Sequence, residues 1–248
     1  MKTVYSCVLL MAVTFVGAKA ASAQRASLSN FENNDGYVSL LFGGNLGGGI
    51  GGGTLTASSG GTSASLSVSG LTQSKGVAGG AEAGWYAGRF GVELEDIVAK
   101  GGLAPSNVTL SGSALGGGSL IGTLDQFNAT QNYAFVNGLL RFPKETTWGI
   151  WYPYMGAGFG FVAGSISNAT TGQSGFTLNS RPAGELKFGT SLVRNNGLGV
   201  SAEYQLVISG FSMGEPAVST GGVPVTSTLS GTAVNSILNV GVSYNFHL

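Results

Sequence analysis

Apolar residues alternate with small or polar ones over stretches of roughly ten residues, the pattern of strands that turn one face to lipid. Eight such stretches follow one another along the chain. The first runs from Gly36 to Leu46, with Val38, Leu40, Phe42 and Leu46 on one side, and the second from Val77 to Tyr86. In the third, Phe90 to Val98, the residues Phe90, Val92 and Leu94 alternate with Gly91, Glu93 and Glu95. The fourth, Asn132 to Phe142, sets Ala134, Val136, Gly138, Leu140 and Phe142 against Asn137 and Arg141. The fifth, Tyr152 to Gly164, puts Met155, Ala157, Phe159 and Phe161 outside. Opposite them stand Gly156, Gly158 and Gly160, whose missing side chains leave room for larger neighbours in a narrow barrel. The last three, Ala183 to Val193, Leu198 to Ile208 and Val234 to Phe246, repeat the pattern, the final one nearly without error. The pattern predicts an all-β fold, an eight-stranded antiparallel up-and-down transmembrane barrel. Ten strands are the alternative, with Val108 to Leu124 as an added hairpin.

The connections alternate in length. Ala87-Gly88-Arg89, Pro143 to Gly149 and Arg194-Asn195-Asn196-Gly197 are short, and the Asn-Gly pair of the last favours a tight hairpin with positive φ. Segments near 47–75, 100–130, 165–181 and 209–232 are long. Membrane barrels have short periplasmic turns and longer outer loops, which predicts four loops outside and both termini inside. Trp85, Trp148 and Trp151 flank the short turns with Tyr86, Phe90, Phe142, Tyr152 and Tyr154, and this clustering reads as an interfacial girdle. The competing reading makes them core aromatics of a soluble sandwich.

Composition weighs against that competitor. Charged residues are 9% of the chain, against roughly 25% in soluble domains. Beyond the N-terminal region no apolar run reaches the ~18 residues of a membrane helix, so a closed barrel is the remaining way to satisfy backbone groups in hydrocarbon. The 44 glycines come with only 6 prolines and 43% hydrophobic residues, which argues against a disordered coil, and 248 residues suit one domain. Lys2, the apolar Val4 to Val16 and Ala21-Ser22-Ala23 have the form of a cleavable signal peptide. The expected division is therefore 1–23 signal, 24–35 a periplasmic segment and 36–248 the barrel, in the outer membrane of a Gram-negative bacterium. Cys7, the only cysteine, falls in the signal, so no disulfide or thiolate metal site is expected. Removing Lys2 and Lys19 from the eleven Lys+Arg leaves nine against eleven Asp+Glu, a balance that does not attract nucleic acid.

Four segments carry a family resemblance: Gly36-Tyr37-Val38, Pro153-Tyr154-Met155-Gly156-Ala157-Gly158, Gly199-Val200-Ser201-Ala202-Glu203-Tyr204, and Asn239-Val240-Gly241-Val242-Ser243-Tyr244-Asn245-Phe246. In order and spacing they resemble the OmpA-type membrane domain and the related opacity proteins. The resemblance implies insertion by the barrel-assembly machinery, with Tyr244 and Phe246 as a C-terminal recognition signal, although His247 and Leu248 follow the aromatic here. It also implies an adhesin-like or host-surface role, with lipopolysaccharide and outer-membrane lipid as surroundings and a host or cell-surface ligand as partner.

Strand parity puts Glu82, Glu93, Glu95, Arg141, Glu185, Lys187 and Glu203 inside the barrel. The first reading is a set of salt bridges that fills the lumen. The second is a cation-selective gate, because carboxylates outnumber cations five to two in that set. Barrel enzymes of the deacylase, phospholipase and omptin kinds depend on a histidine, and His247, the sole one, sits at the extreme C-terminus. No catalytic triad, metal constellation or cofactor is expected. Gly47-Gly48-Gly49 and Gly51-Gly52-Gly53 lack the Lys and helix start of a phosphate loop. A non-enzymatic structural or surface-interaction role ranks first and a small porin-like conduit second.

Overall fold

A computed structural model describes residues 34–59, 62–69, 72–103, 106–111, 119–124, 127–168, 174–214, 218–220 and 223–247. The expected signal peptide, nearly all of the segment 24–35, and Leu248 lie outside the described residues. Eight strands form a closed ring: β1 (Asn34–Ser59), β2 (Gly76–Ala87), β3 (Phe90–Leu103), β4 (Phe127–Arg141), β5 (Gly149–Asn168), β6 (Ser174–Val193), β7 (Leu198–Gly214) and β8 (Val223–His247). Each pairs antiparallel with its sequence neighbour, and β8 returns to β1 to close the ring. Closure removes the sheet edges that would otherwise leave backbone groups unpaired.

The short turns have the chemistry their residues dictate. β2 and β3 pair through Ala87↔Phe90, leaving Gly88-Arg89 as a two-residue turn with Gly88 at φ +62°. Between β6 and β7, Gly197 sits at φ +83° and its N–H donates to the Arg194 carbonyl at 2.9 Å. On the other end of the ring Gly47, at φ +79°, marks a bulge in the β1–β8 register. Its N–H donates to Asn45 Oδ1 at 2.9 Å, and the Asn45 amide donates to the Lys100 carbonyl at 3.3 Å, tying β1 to β3.

Much of what reads as long loop in the sequence is strand. Pairing between β1 and β8 continues from Asp35↔His247 to Ser59↔Val225, although a bilayer needs only about 9–11 residues of a tilted strand. Gly, Ser and Thr dominate these extensions, so their alternation carries little apolar contrast and the sequence pattern fades before the hydrogen bonding does. Residues 106–111 and 119–124 form a hairpin that pairs with 67–69, outside the ring. The described parts of the segment Val108 to Leu124 therefore belong to this added sheet, and the barrel has eight strands.

The faces follow strand parity. Leu40, Phe42, Val92, Leu94, Phe159, Phe161, Val240 and Val242 all point outward and are more than half exposed. Inside, the three glycines of β5 stand opposite large residues of β4: Gly156↔Leu139, Gly158↔Asn137 and Gly160↔Phe135. A Cβ placed on Gly158 would come within 1.6 Å of Asn137 Oδ1 and 2.9 Å of the Val136 carbonyl. Gly158→Ala is expected to cost about 1–3 kcal/mol through this overpacking. Urea unfolding in lipid vesicles measures it, and Ala157→Gly, on the outer face, serves as the control.

Two expectations about the faces need correction. Trp85, Trp148, Trp151, Phe90 and Phe142 are exposed at the turn end, but Tyr86 is buried and Tyr152 and Tyr154 also turn inward. Parity explains this: Trp85 and Tyr86 are adjacent in one strand, so they face opposite sides. The interior is also not polar throughout. Leu41, Ile97, Tyr133, Phe135, Val207 and Ile237 make a buried apolar layer across the lumen.

Candidate functional site

From the turn end inward, the lumen is filled in layers. Arg141, at the end of β4, pairs with Asp35 of β1 at 2.9 Å and donates from Nε to the Gly88 carbonyl at 3.0 Å. Its guanidinium lies over the Tyr86 ring at 4.1 Å and the Tyr152 ring at 4.9 Å, so two aromatic faces and a carboxylate share its charge. Tyr37 stacks on Tyr86 with centroids 5.8 Å apart and donates its hydroxyl to Glu93. Tyr37, Tyr86, Arg141 and Tyr152 border a cavity of about 40 Å³, room for roughly three waters at 10–15 Å³ each.

Below that cavity lies a charged layer centred on Lys187 of β6. Its ammonium lies 2.7 Å from Glu93, 2.9 Å from Glu95, 3.2 Å from Glu82 and 3.5 Å from Glu203, and its side chain is 0% exposed. The carboxylates come from β2, β3 and β7, so one side chain links strands across the barrel diameter. Amides fill the remaining acceptor positions. Asn137 Nδ2 donates to both Glu93 and Glu95 at 2.9 Å, and Gln205 Nε2 to Glu95 at 2.5 Å and to Glu203 at 2.7 Å. Asn239 adds a 3.3 Å bond to Glu203. Tyr154 donates its hydroxyl to Glu203 at 2.9 Å from the cavity side. Glu185 is buried beside this layer, next to Glu95.

Glu82, Glu93, Glu95, Glu185, Lys187 and Glu203 thus sit in one layer, while Arg141 belongs to a separate pair at the turn end. Asn137, Gln205 and Asn239 share the same parity as the charged residues and complete the network. Carboxylate oxygens of Glu82, Glu93 and Glu95 lie within 4.8 Å of one another, close enough for a metal ion. The Lys187 ammonium occupies that position, so the three acids already have their cation. Beyond the charged layer the apolar layer closes the lumen, and past it Tyr133 donates to Gln131 at 2.7 Å and accepts from Asn235 at 3.0 Å.

Tyr244 faces outward at the turn end of β8, and Phe246 lies across Gly36, where an added Cβ would meet its ring at 2.5 Å. His247 pairs through its backbone with Asp35. Asp96 places a charge on the outer wall that the sequence reading overlooked. It follows Glu95 directly, and because neighbours in a strand face opposite ways, an inward Glu95 requires an outward Asp96.

No family model matches the chain, and no curated protein matches it in sequence. Among solved structures it is similar to Neisserial surface protein A, at 16% identity over 85% of this chain and 97% of that one, with a TM-score of 0.46. The outer membrane protein OprG from Pseudomonas aeruginosa is similar at 14% identity over 88% and 98%, TM-score 0.46. The outer membrane protein AlkL, determined in lipid bilayers, is similar at 17% identity over 93% and 95%, TM-score 0.44. By its own closed ring and register, the chain is an eight-stranded antiparallel β-barrel, the architecture that the resemblance to small outer-membrane barrels implies.

Proposed function

We propose that the chain is an integral outer-membrane protein of a Gram-negative bacterium whose plugged barrel is a rigid, non-enzymatic base for a surface-interaction or structural role of its long hairpins. The belt of outward Leu, Val and Phe supports the membrane placement, since soluble proteins rarely expose apolar patches beyond a few hundred Å². Export by the N-terminal signal and insertion through Tyr244 and Phe246 by the assembly machinery belong to the same reading. Lipopolysaccharide and outer-membrane lipid then surround the barrel.

The observation that carries the reading is the filled lumen beneath hairpins far longer than a bilayer requires. Lys187, Asn137, Gln205, Leu41, Ile97, Tyr133, Val207 and Ile237 are each at most 1% exposed, so polar and apolar layers together block the path that a porin would need. Pure protein in a planar bilayer is therefore expected to give no unitary current, and a reproducible conductance step would favour the porin-like alternative. The same enclosure keeps the carboxylates from any substrate, which supports a non-enzymatic reading.

With a sealed barrel, the protruding sheet is what remains to meet a partner. Bacteria carrying the chain with the outer end of β1 and the strand Thr62–Ser69 that pairs with it cut back, residues 56–68 removed, are expected to bind a cultured epithelial layer several-fold less than bacteria carrying the full chain. Equal surface amounts of both forms and equal attachment would remove the surface-interaction role.

A further inference from the structure

Resting on the membrane reading, we propose that the outer wall around Asp96 packs inside the bilayer against the same wall of a second copy of this chain. Asp96 on β3 faces outward between Ala81 of β2 and Ala134 of β4. It lies six residues along the strand from Phe90, a rise of about 15 Å along the barrel axis at ~3.4 Å per residue and ~40° tilt. An apolar band of about 25 Å has that depth well inside it. A carboxylate there is costly unless something meets it. Asp96 is only half-buried and takes no hydrogen bond among the described residues: its Oδ1 is enclosed by the chain, which leaves Oδ2 as the acceptor at the outer surface.

The neighbouring outward residue two positions along β4 is Asn132, which pairs with Val98. Its Oδ1 is likewise enclosed and unbonded, which leaves the amide N–H2 as the group at the outer surface. Acceptors and amide donors therefore lie side by side on one wall at similar depth. A two-fold axis along the membrane normal preserves depth, so a second copy brings the Asn132 amide to Asp96 and accepts the reciprocal contact. That self-complementarity singles out the same chain as occupant: acyl chains have no donor, and a different partner would have to supply both groups at this depth.

The relief of the wall suits the approach. Ala81 and Ala134 stand directly across from Asp96, with Gly79 and Ala83 next to them and Leu94 and Val98 before and after it in its own strand, whereas the wall formed by β5 and by β8 carries Phe159, Phe161, Leu238 and Val240. Small side chains let two barrel backbones come close enough for Asp96 and Asn132 to reach each other, as they do between membrane helices.

The test uses the full chain in native membranes, in a Cys7→Ser background because Cys7 is its only cysteine. Ala134→Cys and, on the far wall at matching depth, Val240→Cys are oxidised with copper phenanthroline. Unboiled gel migration verifies that each variant is a folded barrel. Ala134→Cys is expected to give at least tenfold more disulfide dimer than Val240→Cys, and adding Asp96→Leu to lower that yield at least fivefold. Carbonate-resistant, folded protein with equal yields at both positions, with cross-links only to a chain of different mass, or with no effect of Asp96→Leu overturns the second-copy interface alone. Release of the chain by carbonate overturns the membrane reading and this inference with it.

Discussion

Lys187→Met is expected to lower the stability of the folded barrel by about 3–5 kcal/mol, the cost of leaving buried charges without their partner. The methionine fills much of the lysine stem volume, so the loss reports the ammonium rather than a hole. Four carboxylates from three strands lie within 3.5 Å of that ammonium, and among the described residues none of them forms an ion pair with another cation. Asn137 and Gln205 remain as donors but carry no charge. Urea unfolding in vesicles, followed by tryptophan fluorescence, measures the change. Combining Lys187→Met with Glu93→Gln and Glu95→Gln is expected to recover at least half of it, because the two acids closest to the ammonium then become neutral amides. A loss below about 1 kcal/mol for the single variant would mean that the ammonium does not hold the layer together.

The members of that layer were legible one strand at a time, and their meeting was not. Period-two alternation assigns Glu82, Glu93, Glu95, Glu185, Lys187 and Glu203 to the inside without any knowledge of the ring, because parity is a local property of a strand. Lys187 meets Glu93 and Glu82 from 94 and 105 residues away. Which depth each inward residue occupies depends on register between strands, and register is set by turns and bulges such as Gly88 and Gly47. Arg141 illustrates the limit: it has the parity of the cluster but ends its strand, so it pairs with Asp35 at the turn end.

Where the sequence misled, a stronger habit overrode parity. Tyr86, Tyr152 and Tyr154 were grouped with Trp85 and Trp151 because aromatics near short turns suggest a girdle. Alternation already separated them, and the inward tyrosines serve Arg141 and Glu203 instead. The Glu95-Asp96 pair is the same lesson on the outer wall. Hairpin length was hidden for a different reason: in Gly-, Ser- and Thr-rich segments both faces are small and polar, so backbone pairing leaves no hydropathy trace.

The outer belt yields the sharpest discrimination between lipid and water as its surroundings. Val240, 59% exposed and six residues from Phe246 on β8, faces outward near the middle of the apolar band. Val240→Arg is expected to destabilise the barrel by about 2–4 kcal/mol if acyl chains surround it, since that is the range for a cation near the bilayer midplane. In water the same exposed substitution falls within about 0.5 kcal/mol. Trp148→Arg, at the turn end and 75% exposed, provides the depth control, with an expected cost of about 0–1 kcal/mol near the interface. The difference between the two positions, read from unfolding in vesicles, tests the surroundings directly because neither side chain enters the lumen network. Equal, negligible effects at both would place the belt against water or against another protein surface. A gradient from Trp148 to Val240 would require a medium whose polarity changes along the barrel axis, and that property separates a bilayer from solvent.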